Sequence, residues 1–318
     1  MRWVGFLLLA VVVAAGPRPA QGQTTSAELR AQGQRCMQAR NFRCAETAYN
    51  AFVAQRPTDP IGYALRGILL VRMEQYARGA ADLEKAMDLG EGTYDIFAFY
   101  AEALRHGGRV REAIDWSYRA LEVVPGLLDV RGDLATMLVA ETWHHEALAM
   151  LAGFDAGRVA KGQTAYFAAR RVAIENALAR RGTVADRPDG SLRLPKVESF
   201  FYAPVVLGGG RVNALIVDTG AGNMVLPRAL LAENKVEYRI TRPGIRAKMA
   251  DGRTSTGDMA MLAQVSVGPF VLKDVPAFVC DGCMALLGQE VLSRFDLRSE
   301  RVQWVEFMTL TQRTPLVR

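Results

Sequence analysis

The chain has 318 residues, of which 50% are hydrophobic and 23% charged. That is the make-up of a folded protein of about two domains, and it excludes a disordered chain. The net charge is +6, but Lys and Arg are spread over both halves with no basic run, which argues against nucleic acid as a partner. Three His leave little room for His-based hydrolysis or a His-rich metal site; neither a metal nor a cofactor is expected.

Arg2 precedes an apolar run from Trp3 to Ala15, which breaks at Gly16-Pro17. Ala20-Gln21-Gly22 then places small residues where a signal peptidase reads. Residues 1–22 therefore read as a cleaved signal peptide, which implies a periplasmic or secreted protein. The run is short for a bilayer span. After cleavage no stable membrane insertion is expected; a retained anchor is the alternative reading.

Residues 25–181 carry a repeat of period 34. Gly33, Gly67, Ala101 and Ala135 form one small-residue column, and Ala45, Gly79, Ala113 and Ala147 a second, twelve residues later. Ala86 and Ala120 begin a third, filled by Phe52 and Phe154 in the outer units; Pro57 and Pro125 close two units. Small residues let the paired helices approach, and large ones such as Tyr49, Leu83, Leu104, Tyr118 and Leu134 fill the space beside them. Turns are expected at residues 40–42, 75–76 and 107–109. The pattern resembles the tetratricopeptide repeat (TPR) over about residues 25–160, with residues 164–181 as a capping helix. Such an array implies a groove for a peptide or partner protein, or else a spacer or dimerising scaffold. His144 and His145 are adjacent on one helix, point to different faces, and read as surface residues, as does His106.

Residues 182–196 are rich in Gly, Pro and Asp-Gly and read as a linker. From residue 197 to 318 short Val, Ile and aromatic runs alternate with turns, the mark of an all-β domain. Strands are expected at 200–207, 212–217, 224–226, 261–267, 275–280 and 302–307. Gly208-Gly209-Gly210 would turn between the first two, and short helices are expected at 227–234 and 289–295.

Within this region Ala214-Leu215-Ile216-Val217 delivers Asp218-Thr219-Gly220-Ala221 at a strand end. Val225-Leu226-Pro227 follows, then Asp251-Gly252 as a hairpin tip, then Leu286-Leu287-Gly288 ahead of a short helix. This order resembles the retropepsin-like aspartic proteases in their single-domain bacterial form, over about residues 198–310. The resemblance implies an acid-protease barrel with Asp218 catalytic. Thr219, Gly220, Ala221, Leu287 and Gly288 would support it, and a substrate flap would lie near Ala250, Asp251 and Gly252. The sequence departs from that pattern at Gly222, where Ser or Thr is common.

Asp-Thr-Gly occurs once, and the β-domain has no His, so neither a Ser-His-Asp nor a Cys-His site fits within it. Two close carboxylates that share a proton supply both base and acid for amide hydrolysis. A single Asp per chain then requires a homodimer. The expected function is an exported aspartic endopeptidase acting on proteins or peptides, with the array recruiting substrate or a partner. A non-catalytic periplasmic peptide-binding adaptor is the alternative.

Cys36 and Cys44 flank the first hairpin turn, and in an oxidising compartment they suit a disulfide; buried thiols are the alternative. Cys280-Asp281-Gly282-Cys283 reads as a local disulfide in preference to a redox motif, which lacks its βαβ context, or half a zinc site, which lacks partners. Cross-pairing between the two sets stays open.

Overall fold

A computed structural model describes residues 24–181, 186–248 and 254–313. The expected signal peptide and the flap residues Ala250, Asp251 and Gly252 lie outside the described residues.

The helical part is built from hairpins: α1 (Ser26–Gln38) with α2 (Phe42–Gln55), α3 (Pro60–Arg72) with α4 (Tyr76–Asp88), α5 (Tyr94–His106) with α6 (Val110–Val123), and α7 (Leu128–Ala140) with α8 (His144–Ala160). Local chemistry starts these helices. Thr25 and Glu28 form a capping box on α1, Asn41 caps α2, and Asp59 caps α3 with Pro60 in its first turn. Both small-residue columns are buried between paired helices. A Cβ added at Gly67 would stand 2.7 Å from the Leu83 side chain, and one at Gly79 would stand 2.7 Å from that of Val71. A further column of period 34 emerges at the turns. Arg40, Glu74, Gly108 and Thr142 all have positive φ. The helices thus form a TPR-type solenoid.

The β-domain is a ten-stranded sheet of order β5-β6-β7-β4-β8-β3-β2-β1-β10-β9, in which β6 also pairs with β2 and closes the inner strands into a barrel. The strands are β1 (Leu192–Val197), β2 (Phe200–Leu207), β3 (Val212–Val217), β4 (Met224–Pro227), β5 (Tyr238–Lys248), β6 (Thr254–Val267), β7 (Phe270–Cys280), β8 (Leu286–Leu287), β9 (Phe295–Val302) and β10 (Val305–Gln312). Two short helices, α10 (Arg228–Glu233) and α11 (Gln289–Leu292), fall where helices were expected. Leu194, Val205, Leu215, Leu226, Leu262 and Phe295 fill the barrel. The strand expected at 302–307 is corrected: its middle is the β9–β10 turn, where Gln303 has φ of 52°.

The linker reading of residues 182–196 is also corrected. Residues 182–185 lie outside the described residues, but Asp186 is buried and 192–196 belong to β1, paired with β10 and β2. One core runs through both parts, joining Leu134, Leu148 and Phe154 of the solenoid to Tyr202 and Phe307 of the sheet. Helix α8 is buried continuously from His144 to Asp155, because it packs on α7 on one side and the sheet on the other. Gly153 makes room for Tyr202, whose Cγ would lie 2.8 Å from an added Cβ.

The solenoid's last apolar face is therefore covered largely by the β-domain, while α9 (Ala168–Arg181) buries only Ile174 of its own residues. The surface reading of His144 and His145 is overturned: they are 4% and 8% exposed, and Arg181 of α9 lies against the His144 ring. Asp186 accepts from the backbone N–H groups of His145 and Glu146 at the start of α8, and His145 Nδ1 lies 2.7 Å from its other oxygen.

Candidate active site

The site is built on the two-residue strand β8. It lies parallel to β3, so that the Ile216 N–H donates to Ala285 O (3.0 Å) and the Asp218 N–H to Leu287 O (3.1 Å). On its other side β8 meets β4, with Val225 opposite Leu286. The loop 218–223 that joins β3 to β4 must therefore pass over the chain leaving β8.

At that crossing stands Gly288. A Cβ there would overlap the Asn223 carbonyl oxygen and lie 2.6 Å from its carbon and 2.7 Å from Ala221 O. Immediately after it the first N–H groups of α11 are caught by the same loop: Gln289 N–H donates to Ala221 O (2.7 Å) and Glu290 N–H to Gly222 O (3.0 Å). The helix-start donors and the loop carbonyls satisfy one another.

This frame fixes Asp218. The Gly220 N–H donates to Asp218 Oδ1 at 2.8 Å. The other oxygen, Oδ2, makes no hydrogen bond among the described residues. Half-buried, Asp218 lines a cleft of about 670 Å³. Leu287 is fully buried behind it. Thr219 and Gly220 are exposed on the outer edge of the loop, and Ala221 lies below them as the acceptor for α11. A Cβ at Gly222 would meet nothing within 4 Å, so the Ser or Thr of the family pattern has space there and its absence strains nothing.

The cleft runs between two walls. Ile245 and Ala247 of β5 with Thr254 and Ser255 of β6 form one, and residues Asp281 to Met284 form the other. The first wall is the base of the arm whose tip was expected as the flap, and Ala247 pairs with Ser255 across it. The second is closed by a disulfide between Cys280 and Cys283, with Cα atoms 6.0 Å apart. Cys36 and Cys44 form a second disulfide far away in the chain, on the first helix hairpin.

Three residues absent from the sequence reading of the site support it. Gln289 Nε2 donates to Thr219 O at 3.1 Å, bracing the loop from α11. Arg228 donates to Asp258 Oδ2 (3.0 Å) and reaches Asp281 (3.5 Å), while Asp258 Oδ1 accepts from the Gly244 N–H (3.0 Å). The Gly244 N–H, with the Arg228 guanidinium second, holds the Asp258 carboxyl below its usual range. Arg228 thus ties the arm to the disulfide loop. The one signal for Gln289 was its place directly after Leu-Leu-Gly.

A strand-end Asp-Thr-Gly locked over a parallel Leu-Leu-Gly strand, inside an all-β barrel, resembles a retropepsin-like aspartyl protease domain, here following a TPR-type solenoid. Residues 203–294 match the family model described as "gag-polyprotein putative aspartyl protease". Among solved structures, the helical part is similar to the first TPR domain of human RPAP3 (18% identity, 36% of this chain and 91% of that one, TM-score 0.34). It is also similar to YrrB, a TPR protein with an unusual peptide-binding site (19% identity, 42% and 69%, TM-score 0.39), and to MamA (15%, 41% and 72%, TM-score 0.38). No curated protein matches the chain.

Proposed function

We propose that the protein is an exported aspartic endopeptidase that works as a homodimer. The observation that carries this reading is the setting of Asp218. One oxygen is held by the Gly220 N–H while the other is left for a partner, on a loop whose exposed rim, Thr219-Gly220, faces outward. A second Asp218 brought across a two-fold axis completes the pair.

Of the two carboxyls, one is ionised and one protonated, because close like charges do not both form. The ionised carboxylate takes a proton from water as the water oxygen bonds to the scissile carbonyl carbon. The protonated one gives its proton to the carbonyl oxygen. The tetrahedral diol then collapses: its C–N bond breaks, the nitrogen takes a proton, and an acid and an amine leave. The substrate lies extended between the β5–β6 arm and the 281–284 loop, and the solenoid groove recruits it or a partner protein. Thr219 would hydrogen-bond across the dimer.

A dilution series tests the shared pair: specific activity should fall as the dimer dissociates, with the fall matching the dimer–monomer midpoint from sedimentation. Activity that stays constant in a monomeric sample rejects it.

A further inference from the structure

We propose that a cavity of about 270 Å³ between the solenoid and the β-domain binds a carboxylate carried on a short apolar group, with Arg131 as the receiving cation. Arg131 lies on α7 and is only 3% exposed. Its Nη2 donates to Pro125 O (2.8 Å), and its guanidinium stacks on Phe154, 4.3 Å from the ring centroid. Its Nε is buried with no hydrogen-bond partner. Arg119, Arg171 and Arg187 also leave Nε unpartnered, but each is paired with a carboxylate, Glu122, Asp155 and Glu146 respectively. Among the described residues Arg131 has none.

The acids around the cavity are already engaged: Glu122 with Arg119 and Arg301, Glu198 with Lys161, and Glu306 with Lys196. Three acids and three cations line the cavity, and Arg131 is the one of those cations without a carboxylate partner among the described residues. Burial drives Arg131 below its usual range, to about 10, and Tyr118, Glu198 and Asp155 offset it only in part. An anion would offset the remainder, and a carboxylate matches the guanidinium fork. Leu121, Met150, Val197 and Trp304 form apolar walls, which favours an acid with an apolar body over inorganic phosphate. The volume suits a compact ligand.

The site is separate from the two others discussed. The groove between α5 and α7 uses Asp129, Val130, Asp133 and Met137 of α7, and the Asp218 cleft shares none of these residues.

The test uses the full chain with N-acetyl-leucine and its uncharged amide, and a pentapeptide ending in leucine with a free or an amidated C-terminus. Titration calorimetry and Trp304 fluorescence read binding. The free acid, the free-ended peptide or both should bind, and the amidated forms should not. Binding of the small acid identifies an organic acid as sufficient, and binding of the peptide alone identifies a chain end. Arg131→Met should bind at least tenfold more weakly while its thermal midpoint without ligand is unchanged or higher, since a buried unpaired charge has been replaced by an apolar group of similar length. Trp304→Phe should lose the fluorescence response and keep the heat. If Arg131→Met does not fold, the wild-type comparison of acid with amide decides. No binding by either acid, equal binding by the amides or by inorganic phosphate, or undiminished binding by Arg131→Met overturns the proposal.

Discussion

Arg193 of β1 grips the carboxylate of Glu146 on α8 with two donors, Nε at 3.0 Å and Nη2 at 2.9 Å, across the junction of the helical and β parts. Glu146 is 1% exposed and also accepts from Arg187 (2.9 Å) and from the Tyr118 hydroxyl (2.9 Å). Burial, reinforced by the Glu146 charge, pushes the Tyr118 hydroxyl well up, so it stays a donor. With the shared apolar core around it, this cluster makes the two parts one folding unit. Glu146→Gln leaves two guanidiniums short of their counter-charge and should cost about 3–5 kcal/mol. Urea unfolding followed by circular dichroism and by tryptophan fluorescence should shift to lower denaturant in one coincident transition. Two separated transitions in the wild type would show the parts to be independent.

Gly288 has no space for a side chain, because loop 218–223 crosses it. Gly288→Ala must push backbone rather than a flexible side chain, which places its cost at the upper end of the overpacking range, about 3 kcal/mol. Proteolytic activity should fall much further than the folded fraction, since the displaced loop carries Asp218. A variant with wild-type stability and activity contradicts this account of the crossing.

Gln289 touches the loop and not the substrate cleft: its Nε2 donates to Thr219 O. Gln289→Ala removes one hydrogen bond, worth about 1 kcal/mol, from the brace behind Thr219. Steady-state kinetics should show kcat lowered about fivefold with KM little changed. A raised KM at unchanged kcat would place Gln289 in substrate binding instead.

The Asp258 clamp sets a pH limit on the arm. Its carboxyl titrates below the ordinary value of 3.8 because the Gly244 N–H and Arg228 favour the charged form. A depressed carboxyl contributes its stability fully above the ordinary value and loses it as pH falls through the depressed one. Hydrogen exchange at Gly244 should therefore stay protected at pH 5. Protection should fall only below about 4, and Asp258→Asn should lower it at every pH. Loss of protection between pH 7 and 5 would contradict the assignment.

The helical repeat was legible because close helix contact demands small residues, and Gly33, Gly67, Ala101 and Ala135 meet that demand at a fixed spacing. Turns at 40–42 and 107–109 were legible too, but not the left-handed column Arg40, Glu74, Gly108 and Thr142, because that backbone is imposed by the hairpins and only one of the four is Gly. Strands β2 and β3 could be read at both ends, since apolar runs stop at Gly208 and Asp218. Strand β1 was hidden behind Pro195 and its Gly-rich approach, and β5, with several Arg on an exposed arm, lacks an apolar run. The burial of His144 and His145 could not be read from their own helix. His145 is covered by Asp186, about 40 residues on in sequence, and His144 lies against Arg181 of α9. The Asp-Thr-Gly and Leu-Leu-Gly motifs marked the site, but neither showed that β8 would lie between β3 and β4.

The most direct measurement is cleavage of an unfolded protein substrate at mildly acidic pH by the wild type and by Asp218→Asn, both shown to fold and to share one oligomeric state. The wild type should cleave, and Asp218→Asn should lose at least about a thousandfold in rate, within the range expected for removal of a catalytic acid–base group. Cleavage by Asp218→Asn at the wild-type rate, or a wild type that binds the substrate and never cuts it, would contradict the endopeptidase reading; the second result would establish a peptide-binding adaptor.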